Sequence, residues 1–508
     1  MAFFKKNEKI LFLFMIFFLS FFYGLGEIPL FNLDEGAFSE ATREMSINGD
    51  FITTYLGGEL RFDKPILIYW LQLICIKLFG LKEFAFRFPS ALSSFLWGVA
   101  IYKFVKENFD EEAAFWSAFL FASSLQITII GKAAIADALL NLLITLTMFF
   151  MWKYFKSNKR IDLYLVFLFS ALGVLTKGPV AVLIPFAVSF IYLLYKKKFV
   201  FWIKSVFDLK GLALFFLIAA PWYIAEYLKE GEAFINGFIL KHNLERFHTS
   251  FEGHKGSFFY YVPVIFIGLL PFSAVVFNYL VNIKKYFNDL IVFLLIWFLF
   301  VFVFFSFSGT KLPHYVIYGY TPLFIFGGVM VKDFKYKSLV ILPISSIFLL
   351  LAFLPWIANK FSDMIKDEYV RILIENSFKY FDTFYSIKLL IISLIIIGFY
   401  FFEDIKKVFL GIGFLTVFAI NGIVFPAYAS LVEQPVKEAG IFIKNNNLKN
   451  VVMYGINTPS IMVYSQRIIK RKYPKKGEVV FTKINKLQEL QKYKLLWAKN
   501  GVAVIEKI

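Results

Sequence analysis

The stretch "LFLFMIFFLSFFYGLG" (residues 11–26) is almost wholly apolar, and a few positions later comes "NLDEGAFSEATREM" (32–45), which carries the adjacent carboxylates Asp34 and Glu35 near its start. A run close to the roughly 20 apolar residues needed to cross a bilayer reads as a span. Acids at its exit then belong to a membrane surface. Lys5, Lys6 and Lys9 ahead of the run also fit a signal peptide, but no small-x-small cleavage site precedes Glu27, so the segment is expected to remain as the first span.

The composition extends this reading to the whole chain. Of 508 residues, 59% are hydrophobic and 21% aromatic, with 69 Phe and a mean hydropathy of +0.68. A soluble domain is only about half apolar. The net charge of +18 would suggest nucleic acid in a soluble protein; here Lys and Arg sit in short loops between apolar runs, where they set membrane orientation, and nucleic-acid binding is excluded. The lone Cys75 rules out an intrachain disulfide, a thiolate metal cage and a CxxC redox pair.

Runs of spanning length fall near 10–26, 86–105, 112–130, 138–155, 161–175, 179–195, 209–228, 258–281, 289–308, 314–331, 338–357, 387–402 and 408–425. The expected fold is an all-α polytopic membrane protein of about thirteen transmembrane helices (residues 1–425) with a small C-terminal soluble α/β domain (426–508). With the N-terminus cytoplasmic, "KSNKR" (156–160), "KKK" (196–198), "NIKK" (282–285), "KDFKYK" (332–337) and "EDIKK" (403–407) share the inner side. An odd number of spans then puts the C-terminal domain outside, in which "NVVMYGI" and "GVAVIEKI" read as strands. The long first outer loop, 27–85, holds two helix-like stretches expected to lie along the outer interface.

On this topology the unusual polar residues gather on one side: Asp34, Glu35, Asp63, Lys64, Asp137, Lys177, His242, Arg246 and "GTKLPHY" (309–315). Several have plain explanations. A lysine at a span end, such as Lys177, snorkels to the headgroups, and "GTK" lacks the spacing of a nucleotide loop. Histidines 242, 248 and 254 are spaced for neither helix nor strand. Asp137 is harder to set aside, since an acid carried to the centre of a membrane helix costs about 2.5–3.5 kcal/mol.

The stretch "NLDEGAFSEATREMSINGDFITTYLGGELRFDKPILIYWL", then "GLKEFAFRFPSALSS", "LGVLTKGPVAVLIP" (172–185), "APWY" (220–223), "HNLERF" (242–247) and "KLPHYVIYGYTPL" (311–323), resembles in order the motifs of the GT-C glycosyltransferases. The likeness is to the branch of the 4-amino-4-deoxy-arabinose lipid A transferases, with the dolichyl-phosphate-mannose-protein mannosyltransferases further off. It spans about residues 1–330; beyond 426 only position and size are similar. Where the family commonly has "KPPL", Ile66 replaces the second proline.

The resemblance implies transfer of a sugar from a polyprenyl (undecaprenyl) phosphate donor to lipid A, or to a protein or glycan, at the outer leaflet of the inner membrane. It implies catalytic roles for Asp34 and Asp137, and donor-phosphate contacts at Lys64, Arg246 and Tyr315. Asp63 and His242 resemble a family pair able to hold a divalent metal such as zinc, or equally two loops pinned by a hydrogen bond. Glu35, Lys177 and Lys311 stand as supporting groups, Glu35 also as a helix-terminus charge. The partners expected are the donor, the acceptor and membrane lipids, with the chain acting as a monomer. The rival reading is a transporter or flippase, which would place its polar site near the midplane between repeated halves.

Overall fold

In the computed structural model the described residues are 6–245 and 256–508, with side chains described over 8–241 and from 256 onward. Among them, seven helices are long and apolar enough to cross a membrane, and a bent pair forms an eighth candidate. The chain opens with α1 (Lys6–Phe17), prolonged by a π turn to Phe22, then α2 (Asp34–Asn48), α3 (Leu67–Phe79), α4 (Glu83–Asn108), α5 (Glu111–Ser123), α6 (Leu125–Ile130), α7 (Asp137–Ser157), α8 (Arg160–Lys177) and α9 (Val180–Tyr195). Further spans follow at Leu209–Glu230, Asp289–Phe307, Ser338–Lys360, Thr383–Phe401 and Ile405–Val432. The last of these continues past 425 before the chain enters its C-terminal domain.

Two expected straight spans are broken. The run 112–130 stops at Ser124, whose backbone is extended between α5 and α6; the hydroxyls of Ser123 and Ser124 donate back to the carbonyls of Phe119 and Phe121. The run 258–281 divides into Phe258–Gly268 and Ser273–Val281 at an angle of 120°, because Pro271 has no N–H to continue a helix. The breaks answer each other. The Leu125 N–H donates to the carbonyl of Leu270 at 2.9 Å, so backbone groups freed inside an apolar layer find partners in protein.

The two helices of the loop 27–85 differ in their surroundings: α3 leaves Ile74, Leu78 and Phe79 exposed, whereas α2 is enclosed by protein. Residues 35–45 of α2 are buried throughout. Its charged groups are therefore paired internally: Arg43 binds Glu40 at 2.6 Å, and the Glu44 carboxylate accepts the N–H groups of Gly57 and Gly58 at 2.6 and 3.0 Å. Those glycines turn the hairpin of β1 (Tyr55–Leu56) and β2 (Glu59–Leu60) with φ of +67° and +77°, a region open to glycine at little cost.

The C-terminal domain is a five-stranded mixed sheet of β3 (Val451–Tyr454), β4 (Lys470–Arg471), β5 (Val479–Lys483), β6 (Tyr493–Lys499) and β7 (Val502–Lys507), in the order β4-β3-β5-β7-β6. The inner strands are apolar on both faces because both are covered. Val451, Met453 and Phe481 pack with Val436 and Ile443 of helix Gln434–Asn445, while Val452, Val480 and Ile505 pack with Leu487 and Leu490.

One interaction fixes the path from the first helical stretch into α2. Arg87 on α4 donates from Nε and Nη2 to the two Glu35 oxygens at 2.9 and 2.6 Å, and from Nη1 and Nη2 to the carbonyls of Leu25, Ile28 and Pro29 at 2.6–3.1 Å. Glu35 also accepts the N–H groups of Phe31 and Ala134. Burial alone would raise its pKa, but the Arg87 charge and these hydrogen bonds outweigh it and hold the carboxyl below its ordinary range. Glu35 is thus a buried structural partner of Arg87, more than a charge at a helix end. Glu35→Gln leaves a buried guanidinium uncompensated and is expected to cost about 3–5 kcal/mol. A large drop in the thermal midpoint of the detergent-purified protein checks it; an unchanged midpoint contradicts it. In the wild type the pair's contribution is complete above about pH 4.5 and is lost as pH falls through the lower folded value.

Candidate active site

The centre of the polar cluster is Asp137, the first residue of α7 and only 3% exposed. Consecutive helices joined by a short turn bring the start of α7 beside the end of α8. The positive end of one helix dipole therefore faces a carboxylate, and the negative end of the other faces Lys177. Asp137 Oδ1 accepts from Lys177 Nζ at 2.6 Å and from the Tyr318 hydroxyl at 2.9 Å, with His314 Nε2 4.0 Å away. The Lys177 ammonium lies 5.7 Å from the ring centre of Tyr315 and 5.4 Å from that of Tyr318. Both tyrosines belong to the 3-10 turn Pro313–Gly319, where residues three apart eclipse and so present the same side. Lys177 is accordingly a buried ion-pair partner and not a snorkelling anchor.

Asp34, the first residue of α2, is exposed where Asp137 is buried. It lines a cavity of about 890 Å³ whose wall is largely aliphatic and aromatic, with Leu354, Phe381 and Tyr428 among its residues and the cations Arg87 and Lys132 also in the lining. Asp137, Lys177, Asp34 and Lys64 all act electrostatically on His314, while of the two acids Asp34 is the one that lines the cavity.

The hairpin delivers the remaining groups. Arg61 follows β2, lies 5.2 Å from the ring centre of Phe38, and binds Asp63 Oδ2 through Nε and Nη2, each at 3.2 Å. Its Nη1 is buried with no hydrogen-bond partner among the described residues, an arrangement that costs about 1–3 kcal/mol or more for a charged group. Lys64 Nζ donates to the Asp63 carbonyl at 2.9 Å. Tyr315 is buried against Phe305, ring centres 5.2 Å apart. Lys311 is buried too, its ammonium tied to the Ser308 carbonyl at 2.8 Å.

Arg246 and the side chain of His242 lie outside the described residues. Among the described residues no group of three or more His, Cys, Asp or Glu side chains is placed to hold a metal ion, and Asp63 is engaged by Arg61. His314, Tyr318 and Arg61 were not singled out from the sequence. His314 and Tyr318 had a usable signal, since "GTKLPHY" and the "VIYG" that follows combine a proline with closely spaced polar rings. Arg61, a cation after a glycine turn, had none.

The model of the dolichyl-phosphate-mannose-protein mannosyltransferase family matches residues 63–224. A protein of Aquifex aeolicus is 33% identical over 328 residues, covering 64% of this chain and 74% of its own length. The undecaprenyl phosphate-alpha-4-amino-4-deoxy-L-arabinose arabinosyl transferase of Aeromonas hydrophila is 31% identical over 316 residues, 61% of this chain and 57% of the relative. The chain thus spans somewhat over half the length of that transferase. The crystal structure of ArnT from Cupriavidus metallidurans bound to undecaprenyl phosphate has the same fold, with a TM-score of 0.83 at 17% identity over 99% of both chains. The apo oligosaccharyltransferase of Archaeoglobus fulgidus is more distant, with a TM-score of 0.54 at 13% identity over 93% of this chain and 65% of the other. On the family model over 63–224 and relatives at 30% identity or above, this chain belongs to the GT-C glycosyltransferase superfamily.

Proposed function

We propose that the chain transfers a sugar from a polyprenyl phosphate, of the undecaprenyl type, to lipid A at the outer leaflet of the inner membrane. The observation that carries this is an apolar cavity of about 890 Å³ with the exposed carboxylate of Asp34 in its lining. A lipid acceptor lodges its chains in such a cavity while its polar end meets the carboxylate. The names of the arabinosyl transferase relatives point the same way.

In this reading Asp34 accepts or orients the proton of the attacking hydroxyl as the acceptor oxygen bonds to the anomeric carbon. The bond from that carbon to the phosphate oxygen breaks, and its electron pair leaves with the phosphate. Lys64, Tyr315 and, on the resemblance, Arg246 receive the growing negative charge. The unpartnered Nη1 of Arg61 adds a further donor for a phosphate oxygen. Asp137, fixed by Lys177 and Tyr318, holds the sugar side of the pocket. The Asp63 and His242 pairing, with or without zinc, stays a proposal drawn from the resemblance, and no step is routed through a metal.

We infer thirteen crossings for the membrane unit. To the seven spans and the bent pair are added the helical stretches Lys6–Phe22, Glu111–Ile130, Arg160–Lys177, Val180–Tyr195 and Pro313–Met330. The N-terminus is then cytoplasmic and the C-terminal domain periplasmic, with the chain acting as a monomer. A reporter fused after Ile508 that works only in the cytoplasm is expected to be silent; strong signal means an even number of crossings.

Transfer from a radiolabelled polyprenyl phosphate sugar to lipid A tests the reaction directly, and uptake or flipping without transfer would favour a transporter. Lys64→Ala is expected to weaken use of the donor by ten-fold or more, in line with about 1.5–3 kcal/mol for a charge-assisted hydrogen bond. Lys77→Ala, whose exposed ammonium lies over the ring of Phe51, should change it little; equal effects would remove Lys64 from the phosphate site. Asp34→Asn should lower transfer by about a hundred-fold or more with the thermal midpoint kept, since its side chain is exposed. A fully active variant would move the catalytic role to Asp137, and loss of donor binding would make Asp34 a binding group.

A further inference from the structure

The three residues Leu30, Phe31 and Asn32 lead directly to Asp34, and each is held by the last part of the chain. The Leu30 N–H donates to the Tyr464 hydroxyl at 2.7 Å. The ring of Phe31 stacks on Tyr428, centres 6.0 Å apart, and meets Phe425 at 5.8 Å. Asn32 is bound on every side. Its backbone N–H donates to Glu433 Oε1 at 3.2 Å, its side-chain Nδ2 to Glu433 Oε2 at 2.8 Å, and its Oδ1 accepts the N–H of Ser460 at 3.1 Å.

The partners are themselves anchored. Tyr464 donates to Glu83 at 3.1 Å, and Lys437 binds the same Glu83 oxygen at 2.6 Å, which ties the domain to the start of α4. Gly36, in the first turn of α2, has no room for a side chain: an added Cβ would lie 2.6 Å from the Ser460 nitrogen and 2.8 Å from Asn32 Oδ1. The first turn of α2 is therefore pressed against the helix Ser460–Ser465. Arg87 and Glu35 hold this segment from the membrane side, and the C-terminal domain holds it from the opposite side.

We propose that the C-terminal domain sets the position of Asp34, with Asn32 as the positioning residue that transmits it. The two-residue step from Asn32 to Asp34 leaves little slack, and a displacement of about 1 Å at a reacting group can cost on the order of a hundred-fold in rate. The domain thus acts on the site through the segment 30–32. This inference rests on the transferase reading for its kinetic test but not for its structural one.

The experiment uses the full chain in detergent, with Asn32→Ala as the main variant. Tyr464→Phe is a milder one that removes a single hydroxyl, and Tyr473→Phe, at an exposed position of the same domain, is the control. For Asn32→Ala we expect kcat to fall by ten- to a hundred-fold with KM for the polyprenyl phosphate sugar within about two-fold. Tyr464→Phe should give a smaller fall of the same kind. The amides of residues 30–38 should exchange hydrogen faster in both, in protein that remains folded and monodisperse. Unchanged kcat in a folded Asn32→Ala protein overturns the proposal, as does a rise in donor KM without a fall in kcat. A wild-type protein that transfers no sugar overturns the functional reading instead; the exchange rates then decide the positioning claim alone, and unaltered exchange at 30–38 overturns it.

Discussion

The structure depends on a single guanidinium. Arg87 spends its five N–H groups on two carboxylate oxygens and three carbonyls, which is its full donor capacity. The three carbonyls belong to the bend that follows the first helical stretch, Lys6–Phe22, and the carboxylate belongs to the helix that begins with Asp34. A chain emerging from a bilayer has unpaired carbonyls at an apolar boundary, where leaving them unmatched costs several kcal/mol each. Arg87 removes that cost and fixes the direction of α2 at once. Everything the outer loop contributes, from Asp34 to the hairpin bearing Arg61 and Lys64, is hung from this point.

The same logic recurs at Asp137. A carboxylate in a poorly hydrated place survives as an ion only with a partner and further hydrogen bonds. Lys177 is that partner, and Tyr318 supplies a hydroxyl from an element some 180 residues later in the sequence. The two acids are therefore in different states of constraint. Asp137 is locked and buried, whereas Asp34 is exposed and lines the cavity.

The membrane class, the run of apolar helices, two strands of the tail and the clustering of acids at span ends were legible because composition and run length report on bilayer thickness directly. The breaks at Ser124 and near Pro271 were not. Each is tolerable only because Leu125 finds Leu270, and a single sequence carries no trace of that meeting. Glu35 looked like a helix-end charge because its partner lies on another helix, and Arg87 drew no notice as one cation in an apolar span. Lys177 looked like an anchor because local spacing cannot tell an ammonium facing headgroups from one facing Asp137. What went unread was long-range pairing, and the candidate site consists chiefly of such pairs.

The strand order of the C-terminal domain has a consequence for crowding. A sheet with an open edge invites a strand from a neighbouring molecule. Here one edge, β4, is two residues long and consists of exposed Lys470 and Arg471, while the other, β6, carries Lys494 and Lys499 and an irregular register near Leu495. Short, charged and kinked borders of this sort discourage strand addition. Copies held at high density in one membrane, all presenting this domain at the same height, can therefore drift past one another without zipping into fibres.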